Sequence, residues 1–145
     1  DVGLLLDSGR FDDTLWRTFL VYLAVSSKPA AEMLAPGEPV DFTEVFDRQF
    51  RGMSAEPVSV EALLQSRARM LELIPQLMDA SARDFLLSLE REAPDFALIG
   101  LPQASELPGV RRKLQNMARR SDTKRDTDYR QLADTLERIA KQGTA

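Results

Sequence analysis

Apolar residues along this chain recur at three- and four-residue spacing and seldom alternate, a pattern that predicts helices throughout. Leu15-Trp16-Arg17-Thr18-Phe19-Leu20-Val21-Tyr22-Leu23 is apolar on nearly every side, which predicts a helix at the centre of the fold. Asp12 stands before it as an N-cap and Asp13 falls in its first turn, both suited to the positive end of the helix dipole. Pro29 ends or redirects that helix. Upstream, residues 2–6 read as the last turns of an earlier helix, stopped by Ser8-Gly9. After a loop containing Pro36, Gly37 and Pro39, Asp41 is placed to cap a helix with Phe42, Val45, Phe46, Gln49 and Phe50 on its inner face. Glu44 completes capping-box spacing there, and Val40 is set to staple onto Val45.

A linker over residues 52–57 leads to Ser59, a second cap, with Val58 set to staple onto Leu63. The long helix beyond it carries Val60, Leu63, Leu64, Arg67, Met70, Leu71, Ile74, Leu77 and Met78 on one stripe. Pro75 lies inside that pattern; an interior Pro costs ~3 kcal/mol, so a kink or break is expected. Arg67, the one charge on the stripe, either lays its stem on the core with the guanidinium in water or meets a buried carboxylate.

Residues 81–93 predict the next helix, with Phe85, Leu86 and Leu89 inward and Pro94 as its stop. Residues 95–100 fit a single helical turn or a short strand equally well. Pro108 suits the first position of a basic helix whose apolar residues are Val110, Leu114 and Met117. The last helix, over residues 123–141, places Tyr129, Leu132, Leu136 and Ile139 at heptad a and d spacing, a narrow seam for one partner helix. The expectation is an all-α fold, an irregular bundle of six to eight helices. Its predicted core is Leu15, Phe19, Leu23, Phe46, Phe50, Leu71, Phe85 and Leu89.

At 145 residues the chain fits one domain. No apolar run approaches the ~20 residues of a membrane span, so no membrane partner is expected. Opening on Asp1 within an apolar stretch, without Met, the chain is expected to be a piece of a longer protein.

Charge divides this picture in two. Residues 1–106 hold 9 Lys and Arg against 18 Asp and Glu; residues 107–145 hold 10 against 5. The chain thus divides into an acidic helical bundle over 1–106 and basic helices over 107–145, packed on the same single domain. Either the basic tail lies against the acidic body or it meets a polyanion. Arg111, Arg112, Lys113, Arg119 and Arg120 gather on one short helix, with Gln115 and Asn116 beside Arg112 and Arg119, and form the candidate RNA-binding patch. The plainer reading is a solvated face pairing with Asp122, Asp126 and Asp128. No aromatic is interleaved to stack bases.

Cysteine and histidine are both absent, which removes disulfides, thiol nucleophiles, the usual zinc sites and His-based triads. Acid–base chemistry would rest on carboxylates, Lys or Tyr. The pairs Asp12-Asp13, Glu90/Glu92 and Asp126/Asp128 are adjacent or two apart, spacings that do not face one site on a helix. Capping and solvation account for all three, and no metal site is read from them. Leu107-Pro108-Gly109 opens a helix, but a single Gly builds no phosphate nest.

The order of three blocks carries a resemblance. They are Arg83-Asp84-Phe85-Leu86-Leu87-Ser88, then Pro94-Asp95-Phe96, then Leu107-Pro108-Gly109-Val110-Arg111-Arg112-Lys113-Leu114-Gln115-Asn116. Together with Arg17-Thr18-Phe19-Leu20-Val21-Tyr22-Leu23-Ala24 and with Phe46 and Phe50 ahead of Gly52-Met53, this resembles the C-terminal region of AbiEii/AbiGii-type nucleotidyltransferase toxins. The family's pattern has Trp where this chain has Phe96. The stretch from Asp1 to Asp7 is similar to the end of a two-acid motif that leads into an apolar helix, with Asp1 at its second acid. The resemblance therefore implies a catalytic part for Asp1, only together with an N-terminal nucleotidyltransferase core. That core's Gly-Gly loop, strand acids and catalytic Lys are not in this sequence, so the chain alone is expected to transfer no nucleotide.

By the same resemblance the full protein would be the toxin of a bacterial, cytoplasmic type IV toxin–antitoxin or abortive-infection system. It would add nucleotides from a nucleoside triphosphate, with magnesium, to tRNA or another RNA. This stretch, itself without a cofactor, would support the core and cradle RNA; a cognate antitoxin is a further implied partner. The alternative is a non-catalytic helical module that binds a partner protein or a second copy of itself, with the Tyr129 to Ile139 seam as its surface.

Overall fold

The computed structural model describes residues 2–53 and 57–143, with Val2 in its backbone only. Among the described residues there are eight α-helices and two 3-10 turns, and no strand. The helices are α1 (Val2–Asp7), α2 (Asp13–Val25), α3 (Ala30–Leu34), α4 (Phe42–Gln49), α5 (Val60–Leu77), α6 (Ala80–Glu90), α7 (Pro108–Met117) and α8 (Asp122–Gly143). The 3-10 turns, Phe96–Ile99 and Pro102–Glu106, join α6 to α7. Residues 95–100 thus take the helical-turn form.

Local chemistry starts these helices. Asp12 accepts from the Leu15 amide at 2.9 Å to open α2, and Ser59 accepts from Ala62 at 3.1 Å to open α5. Asp79 does the same for α6, accepting from Ala82 at 2.7 Å. Asp41 does not behave as a cap. Its backbone is left-handed at φ 54° and its side chain bonds no helix amide. Val40 beside it points into solvent, so the staple onto Val45 is not made.

α2 lies at the centre of the core, burying Trp16, Leu20, Leu23 and Ala24. Its apolar surface is not covered on every side: Tyr22 is exposed, and Leu15 and Phe19 are half-buried. Ala82, Phe85, Leu86 and Leu89 of α6, Val110 of α7, and Leu132, Leu136 and Ile139 of α8 join the buried residues of α2 in one cluster. Of the predicted core, Leu23, Phe85 and Leu89 are fully buried, Leu71 and Phe46 are half-buried, and Phe50 is 62% exposed. α4 buries no residue at all. Its apolar spacing is real, but almost nothing covers it.

The α8 seam has a partner within the chain. α8 packs against α3, α5 and α6, which bury Leu132, Leu136 and Ile139. α5 runs unbroken through Pro75 to Leu77. The Pro stands in the last turn, so only the Leu71 carbonyl loses its helical donor, and the interior penalty that favours a break does not apply in full. α8 closes against this turn: a Cβ on Gly143 would stand 2.6 Å from the Pro75 carbonyl oxygen. Arg67 takes neither expected role and donates to the carbonyls of Pro36 at 3.2 Å and Gly37 at 2.7 Å, holding the Pro/Gly loop.

The end of α6 is a Schellman turn, with the Glu92 amide donating to Leu89 and the Ala93 amide to Ser88. Its left-handed position, usually Gly, is Glu92 at φ 64°. Beyond it the Ser88 hydroxyl donates to the Phe85 carbonyl at 2.7 Å and accepts from the Asp95 amide at 3.0 Å. Asp95 caps the next turn through Ala97, and Phe96 packs on Phe85 with ring centroids 5.0 Å apart. The Phe-Leu-Leu-Ser and Pro-Asp-Phe blocks therefore close one corner of the core.

Candidate functional site

α7 is oriented by its apolar side. Val110 and Met117 are buried and Leu114 packs against the core. Gly109 brings its first turn onto α2, where an added Cβ would lie 2.9 Å from Val25 Cβ. With that face fixed, the five predicted cations do not share one surface.

Lys113 turns inward. Its ammonium donates to the carbonyls of Leu23 at 3.1 Å, Ser26 at 2.7 Å and Lys28 at 3.0 Å, closing the C-terminal end of α2. All three of its protons are spent there, the favourable placement of a cation at the negative end of a helix. Burial holds its pKa below the ordinary lysine value, with Glu90 raising it and Arg120 lowering it further.

Arg120 is turned inward as well. Its Nη1 donates to Glu90 Oε1 at 2.5 Å and to Asp128 Oδ2 at 2.8 Å. Lys124 supplies the other Asp128 oxygen at 2.7 Å. Glu92 Oε1 lies 2.9 Å from Arg125 Nε and 3.6 Å from Arg120 Nη2. Burial opposes charging on both members of the central pair. The Lys124 and Arg120 hydrogen bonds nevertheless hold Asp128 below the usual carboxylate range, and Glu90 and Asp128 push Arg120 above its already high value. Paired and hydrogen-bonded, Glu90, Arg120 and Asp128 tie α6 and α8 together through the link that follows α7.

The remaining three face outward. Arg111 is exposed and bonds Glu106 at 2.8 Å. Arg112 and Arg119 are exposed with no ion-pair partner among the described residues. Asn116 shares a side of α7 with Arg112, four residues before it, and Arg119 follows in the turn beyond Met117. Asp1 lies outside the described residues. Among those described, no group of three or more acids is placed to hold a metal ion, so no magnesium-dependent step is built on them.

The carboxylates tell against the solvation reading. Asp12 is a cap, but Glu90 and Asp128 are buried in the network. A signal was available: Glu90 follows Leu89 and stands four after Leu86, and Asp128 stands four before Leu132, so each shares a face with buried leucines. Beside the network opens a notch of about 260 Å³, lined among others by Lys28, Asn116 and Lys124. Lys28 and Lys124 were not among the residues the sequence singled out.

No protein-family model matches this chain, and no curated protein or solved structure is detectably similar to it. No helix among the described residues is long and apolar enough to cross a membrane.

Proposed function

We propose that this chain is the C-terminal helical accessory region of an AbiEii/AbiGii-type nucleotidyltransferase toxin, supporting a catalytic core and contributing an RNA-backbone contact. The observation that carries the RNA contact is the sorting of cations along α7 and the turn that follows it. Lys113 and Arg120 fasten the helix to the body, while Arg111, Arg112 and Arg119 stand outside, two of them unpaired. Outward arginines on a fixed helix meet phosphates without reading bases, so binding is indifferent to sequence and sensitive to salt. On this reading the chain acts as a surface rather than a catalyst. Incubated with labelled triphosphates, magnesium and bulk tRNA, it should yield no product above a blank. A mobility-shift titration with tRNA should show weak binding that disappears as salt rises; no binding even at low salt overturns the RNA reading.

A second reading, a protein-binding module, draws on α4. Phe46 and Phe50 stack with centroids 6.4 Å apart on a helix that buries nothing, and Val45 and Phe50 are exposed. The α8 seam gives it no support, being covered within the chain. Replacing Phe46 and Phe50 with Ser would remove partner binding under this reading and leave tRNA binding untouched.

A further inference from the structure

The geometry points to a phosphate-binding site in the notch between the loop of residues 26–29, α7 and α8, formed by Lys28, Asn116 and Lys124, with Arg112 and Arg119 nearby in sequence. Its floor is the charge network, and the balance there is positive: Lys28, Lys113, Arg120 and Lys124 line it against Glu90 and Asp128. Both carboxylates already accept from Arg120, and Asp128 also from Lys124, so their charge is neutralised within the wall. Lys113 spends its protons on carbonyls, yet its charge remains, half-buried behind the notch where a low-dielectric wall focuses its field.

Donors remain at the mouth. Lys124 gives one proton to Asp128 and keeps two. Lys28 has only a 3.8 Å contact with Glu32. The Asn116 side chain has no protein partner among the described residues; the unpaired Arg112 is its neighbour on the helix face, and the unpaired Arg119 follows in the turn after α7. Lys28 and Lys124 in the lining, with a free amide beside them around 260 Å³, suit a compact, multiply charged oxyanion better than a carboxylate with two oxygens. The ligand is a phosphate monoester, carried either on a nucleic-acid end or on a small phosphorylated molecule. The site stands apart from the RNA reading, since it uses the notch beside α7 and not the outer arginine face alone.

The test is an amide NMR titration with inorganic phosphate against chloride at matched ionic strength. Saturable shifts are expected at the Asn116 side-chain amide and at the backbone of Ser26, Lys28 and Lys124, with no such response to chloride. Asn116→Asp places a carboxylate at the mouth and should weaken phosphate at least about tenfold with an unchanged melting midpoint. Lys28→Glu, on an exposed loop, should do the same if Asn116→Asp disturbs α7. Shifts that are linear, spread over all surface cations, or equal in chloride overturn the site, as does unaltered binding by both variants. A matched pair of oligoribonucleotides with and without a 5′-phosphate separates the sources: tighter binding of the phosphorylated one supports a nucleic-acid end, equal binding supports a small molecule. Binding of tRNA without any response to inorganic phosphate sinks the notch and spares the RNA reading; the converse spares the notch.

Discussion

Arg120 Nη1 donates to Glu90 Oε1 at 2.5 Å, joining the chain beyond α7 to the last residue of α6. The Arg120 side chain is 18% exposed and Glu90 8%, so water does little to screen or replace the pair. Truncating Arg120 leaves Glu90 and Asp128 as buried charges without their shared partner. Arg120→Met should cost about 3–5 kcal/mol, measured by urea unfolding at neutral pH. A loss below about 1 kcal/mol would show that the network relaxes into solvent.

Asp128 gives the pH signature. Its folded pKa lies below the ordinary 3.8, chiefly against burial and through Lys124 and Arg120. A depressed carboxylate contributes stability that is complete above its unfolded value and is lost as pH falls through its folded value. Stability should therefore hold above pH 3.8 as far as this group is concerned and fall below it. In Asp128→Asn that part of the acid decline should be missing, with lower stability at neutral pH. Identical acid limbs in unfolding curves of the two proteins would contradict this.

Glu92 occupies a left-handed position that favours Gly, while its carboxylate lies against Arg125 and Arg120. Glu92→Ala loses the carboxylate and keeps the backbone strain; Glu92→Gly loses the carboxylate and relieves the strain. The Gly variant should be more stable than the Ala variant by about 1 kcal/mol. Equal melting midpoints would show that the turn is not held in that conformation.

Phe85 and Phe50 mark the centre and the edge. Phe85 is fully buried against Phe96, and Phe50 is 62% exposed. Phe85→Ala should cost about 3–5 kcal/mol, and Phe50→Ala no more than about 0.5 kcal/mol. Comparable costs would mean that α4 is covered in solution, which favours self-association.

Helix existence was legible in the sequence because periodicity and caps agree: Asp12 and Ser59 sit where the first orphan amides need an acceptor. Burial was legible only where a helix had neighbours. The α4 pattern of Phe42, Val45, Phe46 and Phe50 states a side, not whether anything packs on it. The same limit misplaced the cations. Arg111 to Lys113 spans about 200°, a little over half a helical turn, so the three point in different directions, and Lys113 falls beside the buried side set by Val110 and Met117. Which carbonyls Lys113 would close depends on α2, 85 to 90 residues away in sequence, and no local rule reaches that far.

A salt series of tRNA binding bears most directly on the central claim that the outward arginines of α7 and the turn after it form an RNA-backbone contact. The parent protein should lose affinity between about 50 and 200 mM salt with a log–log slope of about −2 to −3, the release expected for some three phosphate contacts. The triple variant Arg111→Glu, Arg112→Glu, Arg119→Glu should show no binding at the lowest salt while melting like the parent, since Val110, Leu114 and Met117 still hold the helix. Equal tRNA binding by the triple variant and the parent would contradict the claim.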